Sequence, residues 1–71
     1  MTPAIQSVSV NGEIRHLTHP TTVEDVVLAL SPTGEGCAVA LNGAVVPRSD
    51  WACARVADGD RVEVLTAAQG G

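Results

Sequence analysis

The chain has 71 residues, 45% of them hydrophobic, and a formal net charge of −4 that comes from eight acidic residues, four arginines and no lysine. This length fits one small domain, and four scattered arginines do not form the basic stripe that is typical of nucleic-acid-binding proteins. No secretory signal pattern or membrane-spanning apolar run is present. Cys37 and Cys53 match neither a CxxC redox motif nor a zinc site, so we expect a cytoplasmic protein with reduced, structural cysteines.

The first predicted element is a β-hairpin. Residues 7–10 alternate polar and apolar side chains, which is the period of a strand. Asn11-Gly12 follows, and this dipeptide favours a type I′ turn because both central residues need a positive φ. Residues 13–17 are therefore expected to return as the second strand.

An amphipathic helix is predicted next, after a connection that contains Pro20. Thr21 and Glu24 have the spacing of a capping box, in which each side chain binds the backbone amide of the other. The apolar residues that follow have helical spacing and form one stripe: Val23, Val26, Val27 and Leu30. The helix is expected to end near Ser31, because the residue before a proline disfavours the α region.

A second, shorter hairpin is predicted over residues 38–46, with Asn42-Gly43 at its turn. Pro47 ends its second strand or places that strand at an edge of the sheet. Residues 49–51 are expected to form a short turn of helix. This turn would bring Trp51, the chain's one aromatic residue, into the core.

The last predicted strand covers residues 61–65, after a tight turn at residues 58–60. Val62 and Val64 fall on one face, and Leu65 falls on the other, together with Arg61 and Glu63. Hairpin, helix, hairpin and strand predict a two-layer α+β domain over residues 1–66, with a mixed sheet of four to five strands. The helix stripe is expected to pack on the sheet face that carries Val8, Val10, Val62 and Val64.

The chain ends in Gly70-Gly71 after a short segment, and we expect residues 67–71 to form a flexible tail. Five extended residues reach roughly 16–18 Å, and glycines lack a Cβ, so this tail could enter a narrow pocket of a partner. A C-terminal carboxylate is ionised at neutral pH and must be activated before it reacts. After adenylation, either a sulfur nucleophile or an amine could displace AMP.

Several segments together resemble the ThiS family of sulfur-carrier proteins, which belongs to the ubiquitin-like β-grasp group. The resemblance covers nearly the whole chain. It includes the opening hairpin at residues 10–13, the helix start at residues 22–23, the segment 40–51 with its Asn-Gly, Val-Pro-Arg and Trp, the segment 58–64, and the terminal diglycine. The fold that this resemblance implies is a β-grasp domain with one main helix.

The resemblance also implies a function. A ThiF-type, E1-like adenylyltransferase would use ATP to adenylate the carboxylate of Gly71, while Gly70 threads the pocket of that enzyme. Sulfur relayed from a cysteine desulfurase would convert the adenylate to a thiocarboxylate. A ThiG-type thiazole synthase would then take this sulfur into the thiazole ring of thiamine. The chain would act as a carrier and not as an enzyme, without a bound cofactor or metal, and as a monomer when alone.

Partner contacts are expected at Leu65, Ala67 and Gln69. The tail carries Ala67-Ala68-Gln69 where bulkier residues are expected in the family, so its detailed contacts with the activating enzyme stay open. His16 and His19 are interpreted as ordinary surface residues, because no catalytic motif includes them. Arg48 is expected at the surface, and Trp51 is expected in the core.

Three alternatives remain open from the sequence. A MoaD-like sulfur donor for molybdopterin synthesis would share the fold and the thiocarboxylate. A ubiquitin-like modifier would join its end to lysines of target proteins, although the lysine-free chain could not build lysine-linked chains on itself. The third alternative is a non-catalytic interaction module with an inert tail.

Overall fold

The computed structural model describes residues 5–18 and 20–66, and these residues form a mixed sheet packed on one α-helix. The elements are β1 Gln6–Val10, β2 Glu13–Leu17, β3 Thr21–Thr22, α1 Val23–Leu30, β4 Cys37–Leu41, β5 Ala44–Val46, a 3₁₀ turn Arg48–Asp50, β6 Arg55–Val56 and β7 Arg61–Thr66. The five-stranded sheet has the order β2-β1-β7-β4-β5, in which β1 and β7 are parallel and the other pairs are antiparallel. The predicted α+β, β-grasp fold is confirmed.

Both predicted hairpins form, and each turns at its Asn-Gly dipeptide. Asn11 and Asn42 have φ of 51° and 52°, and Gly12 and Gly43 both have φ of 85°. Two consecutive positive φ values define the type I′ turn, whose twist matches that of the flanking strands. The turn residues therefore set the register of both hairpins.

The core lies between the helix and one face of the sheet. Its buried apolar residues are Val8, Val10, Val23, Val26, Val27, Val39, Trp51, Val56, Val62 and Val64. Trp51 is 3% exposed, and its Nε1–H donates to the carbonyl of Val46 at 3.0 Å. The predicted burial of the indole and of alternate residues on β7 is confirmed.

The helix cap lies one residue later than the sequence predicted. Thr22 is the N-cap: its Oγ1 accepts from the amide of Asp25 at 3.2 Å, and the Asp25 carboxylate accepts from the amide of Thr22 at 3.1 Å. Thr21 cannot serve, because it is buried in the two-residue strand β3, where it lies opposite Val56 of β6. The β3–β6 pair was not predicted, since two residues show no periodicity.

The predicted burial of Leu30 is wrong. Its side chain is 42% exposed and borders a groove of about 300 Å³ between α1 and the first hairpin. On the helix side of that hairpin, β2 places Arg15 opposite Val8 and Glu13 opposite Val10. Arg15 lines this groove but its side chain stays 53% exposed, and that of Glu13 stays 76% exposed, so neither closes the groove over the last turn of the helix.

Candidate functional site

The strand that leads to the C-terminus lies in the middle of the sheet. β7 has β1 on one side and β4 on the other, and its pairing with β4 continues to Thr66, which lies opposite Cys37. The predicted site residues Gly71, Gly70, Ala67 and Gln69 lie outside the described residues, so their roles stay predictions. The structure instead describes the end of β7, at Leu65 and Thr66, which precedes them in the chain; we call this end the base of the tail.

An apolar patch lies beside this base, on the sheet face opposite the helix. We name this set the outer-face patch, and it consists of Ala38, Ala40, Val45, Glu63 and Leu65. Leu65 is 72% exposed and Val45 is 77% exposed, and with their neighbours they line a shallow depression of about 180 Å³. The predicted face of Leu65 is confirmed, and its side chain is exposed and not covered by a loop, whereas its contact with a partner stays a prediction.

Side chains from both Asn-Gly turns bind the backbone of β7. The Asn11 carboxamide accepts from the amide of Val64 at 2.7 Å and donates to the carbonyl of the same residue at 3.2 Å. The Asn42 carboxamide accepts from the amide of Arg61 at 2.8 Å. The sequence assigned these two asparagines only to their turns, because no local pattern reveals partners that lie 53 residues from Asn11 and 19 residues from Asn42.

The acidic turn before β7 is used for structure. Asp58 accepts from the amide of Ser7 at 2.7 Å. The carboxylate of Asp60 accepts from the Ala57 amide at 2.7 Å and from the Asn42 side chain at 3.0 Å. These bonds fix the start of β7 against β1 and against the second hairpin.

Arg48 has a defined structural role as well as an exposed position. Its guanidinium lies 5.2 Å from the centroid of the Trp51 ring, within the range of a cation–π interaction. It also donates to the carbonyls of Thr33 and Gly34, both at 3.3 Å. Arg48 therefore holds the loop after α1 through its carbonyls, and Gly34 of that loop lies against the buried Trp51 ring.

Among the groups that could perform chemistry, the one direct contact in the described residues joins His16 to Ser7 on the exposed first hairpin. His16 is exposed, and its Nδ1 lies 3.2 Å from the Ser7 hydroxyl; His19 lies outside the described residues. Cys37 is half-buried, whereas Cys53 is exposed and so lacks the burial that is typical of a structural cysteine. Residues 5–18 and 20–66 contain no cluster of three or more metal-ligating side chains.

One contact candidate escaped the sequence reasoning. Val45 was assigned only to the return strand of the second hairpin, yet it lies on the same face as Leu65, through the pairs Ala40–Val45 and Ala38–Leu65. The signal was present in the sequence, because alternation along residues 44–46 puts Val45 and Val46 on opposite faces.

The described part of the chain contains no helix with the length and hydropathy needed to cross a bilayer.

Comparisons with known proteins agree with this geometry. The model of the ThiS family matches residues 8–71. Among solved structures, the thiamine biosynthesis protein ThiS from Geobacter metallireducens is similar, with 31% sequence identity, a TM-score of 0.74, and coverage of 86% of this chain and 93% of that one. No curated protein sequence gives a significant match to this chain.

Proposed function

The chain belongs to the ThiS family, and from this premise we propose that it is a sulfur carrier of thiamine biosynthesis whose carrying atom is the carboxyl carbon of Gly71. The observation that carries the proposal is the extent of the family match. The match runs to residue 71 and so includes the diglycine end. The similar solved structure is described as a thiamine biosynthesis protein, which supports this pathway over the alternatives.

The chemistry starts with the Gly71 carboxylate, which is a poor electrophile at neutral pH. An E1-like adenylyltransferase transfers AMP from ATP to this carboxylate and releases pyrophosphate. Hydrosulfide then displaces AMP and leaves a thiocarboxylate; a persulfide donor instead gives an acyl disulfide, which a thiol reduces to the same product. The chain supplies the electrophilic carbon, and its partners supply ATP binding and catalysis.

Recognition by these partners falls on the outer-face patch. The patch combines two exposed aliphatic side chains and two alanines with the carboxylate of Glu63, a composition suited to a largely apolar contact that includes one acidic group. Leu65 immediately precedes the last residue of β7, so a partner that contacts it also lies next to the tail. The same contact serves the adenylyltransferase and the thiazole synthase in turn, because each must bring the chain's end into its own active site.

The test is intact-mass analysis after incubation with a ThiF-type adenylyltransferase, ATP and a sulfur source. We expect a mass increase equal to the replacement of one oxygen by sulfur, and fragmentation should place it on Gly71. A chain with Gly71 converted to its C-terminal amide is the matched control, since it keeps the shape of the end but has no carboxylate. Sulfur loading of the amide control, or no loading of the natural chain under conditions that load a known carrier, would contradict the proposal.

The acceptor is tested with the loaded protein. Thiazole synthase, supplied with the small-molecule substrates from which it builds the ring, should transfer the sulfur to them and return the mass of the unloaded chain. If the large subunit of molybdopterin synthase consumed it and thiazole synthase did not, the MoaD-like alternative would replace this one. Stable conjugates with lysines of other proteins would instead indicate a modifier.

A further inference from the structure

The second half of β7 lacks strand pairing on one of its two edges. Within the described residues, β1 pairs with β7 only at Ser9–Arg61 and Val10–Val62, and the last main-chain bond on this side runs from the Asn11 amide to the carbonyl of Val62. The opposite edge is covered to its end, because β4 pairs with β7 as far as Thr66. The part of β7 nearest the tail is therefore held by a strand on one side only.

The Asn11 side chain replaces the missing strand at this position. Its carboxamide accepts from the Val64 amide at 2.7 Å and donates to the Val64 carbonyl at 3.2 Å. A carboxamide carries the donor and the acceptor of a peptide group, so it satisfies on this edge the N–H and C=O of Val64, which main-chain groups of a longer neighbouring strand would otherwise bind. Hydrogen bonding on this edge thus extends from Val62 to Val64, and Thr66 is the last residue of β7.

We propose that Asn11 is a positioning residue for the activation of the C-terminus. This inference rests on the function proposed above. By binding Val64 from the edge that β1 leaves open, the carboxamide limits the directions in which the end of β7 can bend. The narrower range of directions keeps the end of β7 and the outer-face patch in one arrangement before binding, so the adenylyltransferase does not have to order them.

The turn itself does not require this side chain. Glycine adopts a positive φ without strain, so a Gly-Gly turn would preserve the hairpin while removing both bonds to Val64. Asn42 provides a matched comparison within the same molecule. It has nearly the same φ, is also followed by glycine, and its side chain also binds β7, but at Arg61, the end of the strand that lies farthest from the tail.

The test compares Asn11→Gly with Asn42→Gly in steady-state adenylation, with the full chain as the substrate of a ThiF-type enzyme. We expect Asn11→Gly to raise KM by about three- to tenfold, the factor that corresponds to roughly one net hydrogen bond, and to leave kcat unchanged. Asn42→Gly should leave both constants unchanged. Hydrogen exchange of the Val64 amide should become faster in Asn11→Gly alone.

A second variant keeps the inference testable if Asn11→Gly folds poorly. Asn11→Asp tolerates the positive φ and keeps an acceptor for the Val64 amide, but its carboxylate cannot donate to the Val64 carbonyl. Its KM should also exceed that of Asn42→Gly. Equal KM values for the folded variants at positions 11 and 42 would overturn the positioning role while the proposed function stands. If the natural chain itself is not adenylated, the proposed function fails instead.

Discussion

The two faces of the sheet are built from the same strands but have opposite properties. On β7, Val62 and Val64 are buried against the helix, whereas Leu65, the next residue along, is largely exposed. On the second hairpin, Val46 packs against the core, whereas Val45 points away from it. Stability thus depends on the residues that face the helix, and we expect recognition to depend on those that face away from it. Substitutions at adjacent positions of one strand should therefore change either the free energy of unfolding or the affinity for a partner, but not both.

The largest effect is expected on the helix side of the sheet, from Trp51→Ala. Removing a buried indole costs about 3–5 kcal/mol, a loss comparable to the whole free energy of unfolding of a domain this small. Far-UV circular dichroism with urea titration should show a largely unfolded chain at low denaturant. Trp51→Phe, which keeps most of the volume but loses the bond to the Val46 carbonyl, should remain folded. An alanine variant as stable as the natural chain would contradict this assignment of the core.

The next largest effect is expected on the outer face, from Leu65→Glu. If Leu65 is a central contact of the partner, the substitution should raise KM for adenylation by about thirtyfold, which corresponds to roughly 2 kcal/mol. The urea midpoint should hardly change, because surface substitutions usually stay within about 0.5 kcal/mol. Ile14→Glu is the control, since Ile14 is similarly exposed but lies on β2, away from β7. Equal effects of both variants on KM would remove the special role of the patch.

Val64→Ala sharpens the comparison, because it changes the neighbour of Leu65 on the opposite face. Losing two buried methyl groups should lower the free energy of unfolding by about 1–2 kcal/mol. The main chain of residue 64 can still bind the Asn11 side chain, so the KM for adenylation of the folded protein should stay the same. The measurement is urea unfolding together with adenylation kinetics corrected for the folded fraction. A raised KM in this variant would show that the two faces are not independent.

The smallest effect is expected at the helix start, from Thr22→Ala. Loss of the N-cap hydroxyl should cost about 1 kcal/mol, with no change in adenylation, since this cap lies at the helix and apart from the outer-face patch. Thr33→Ala is a suitable control, because its hydroxyl accepts from one exposed loop amide only. A urea midpoint that falls equally in both variants would contradict the assigned cap.

Local chemistry made most of the fold predictable. The two Asn-Gly turns, the alternation along residues 61–65 and the proline after the second hairpin each have a physical cause within a few residues, and the elements that they predict formed as expected. The cap was misplaced because Thr21 and Thr22 both have an acid three residues later, and only the pairing of Thr21 with β6 separates them. The exposure of Leu30 depends on which side chains face it from β2.

Less of the candidate site than of the fold could be predicted from the sequence. Alternation along its strand put Leu65 on the face opposite the core, but whether a loop covers that face could not be predicted from the sequence. Asn11 could not be recognised as a partner of Val64, because that contact exists only after β1 and β7 come together in parallel. The exposure of Val45 could be read from its hairpin, but its position beside Leu65 required the order of the strands.

The central place of β7 also has a consequence for how the molecule assembles. The sheet joins its first and last strands directly, so the contact that completes it spans nearly the whole described chain. Such a topology has a high contact order and favours slow, all-or-none folding. A chain truncated before Arg61 would leave the two hairpins without the strand between them. We therefore expect a separate peptide that carries β7 to restore structure to that fragment.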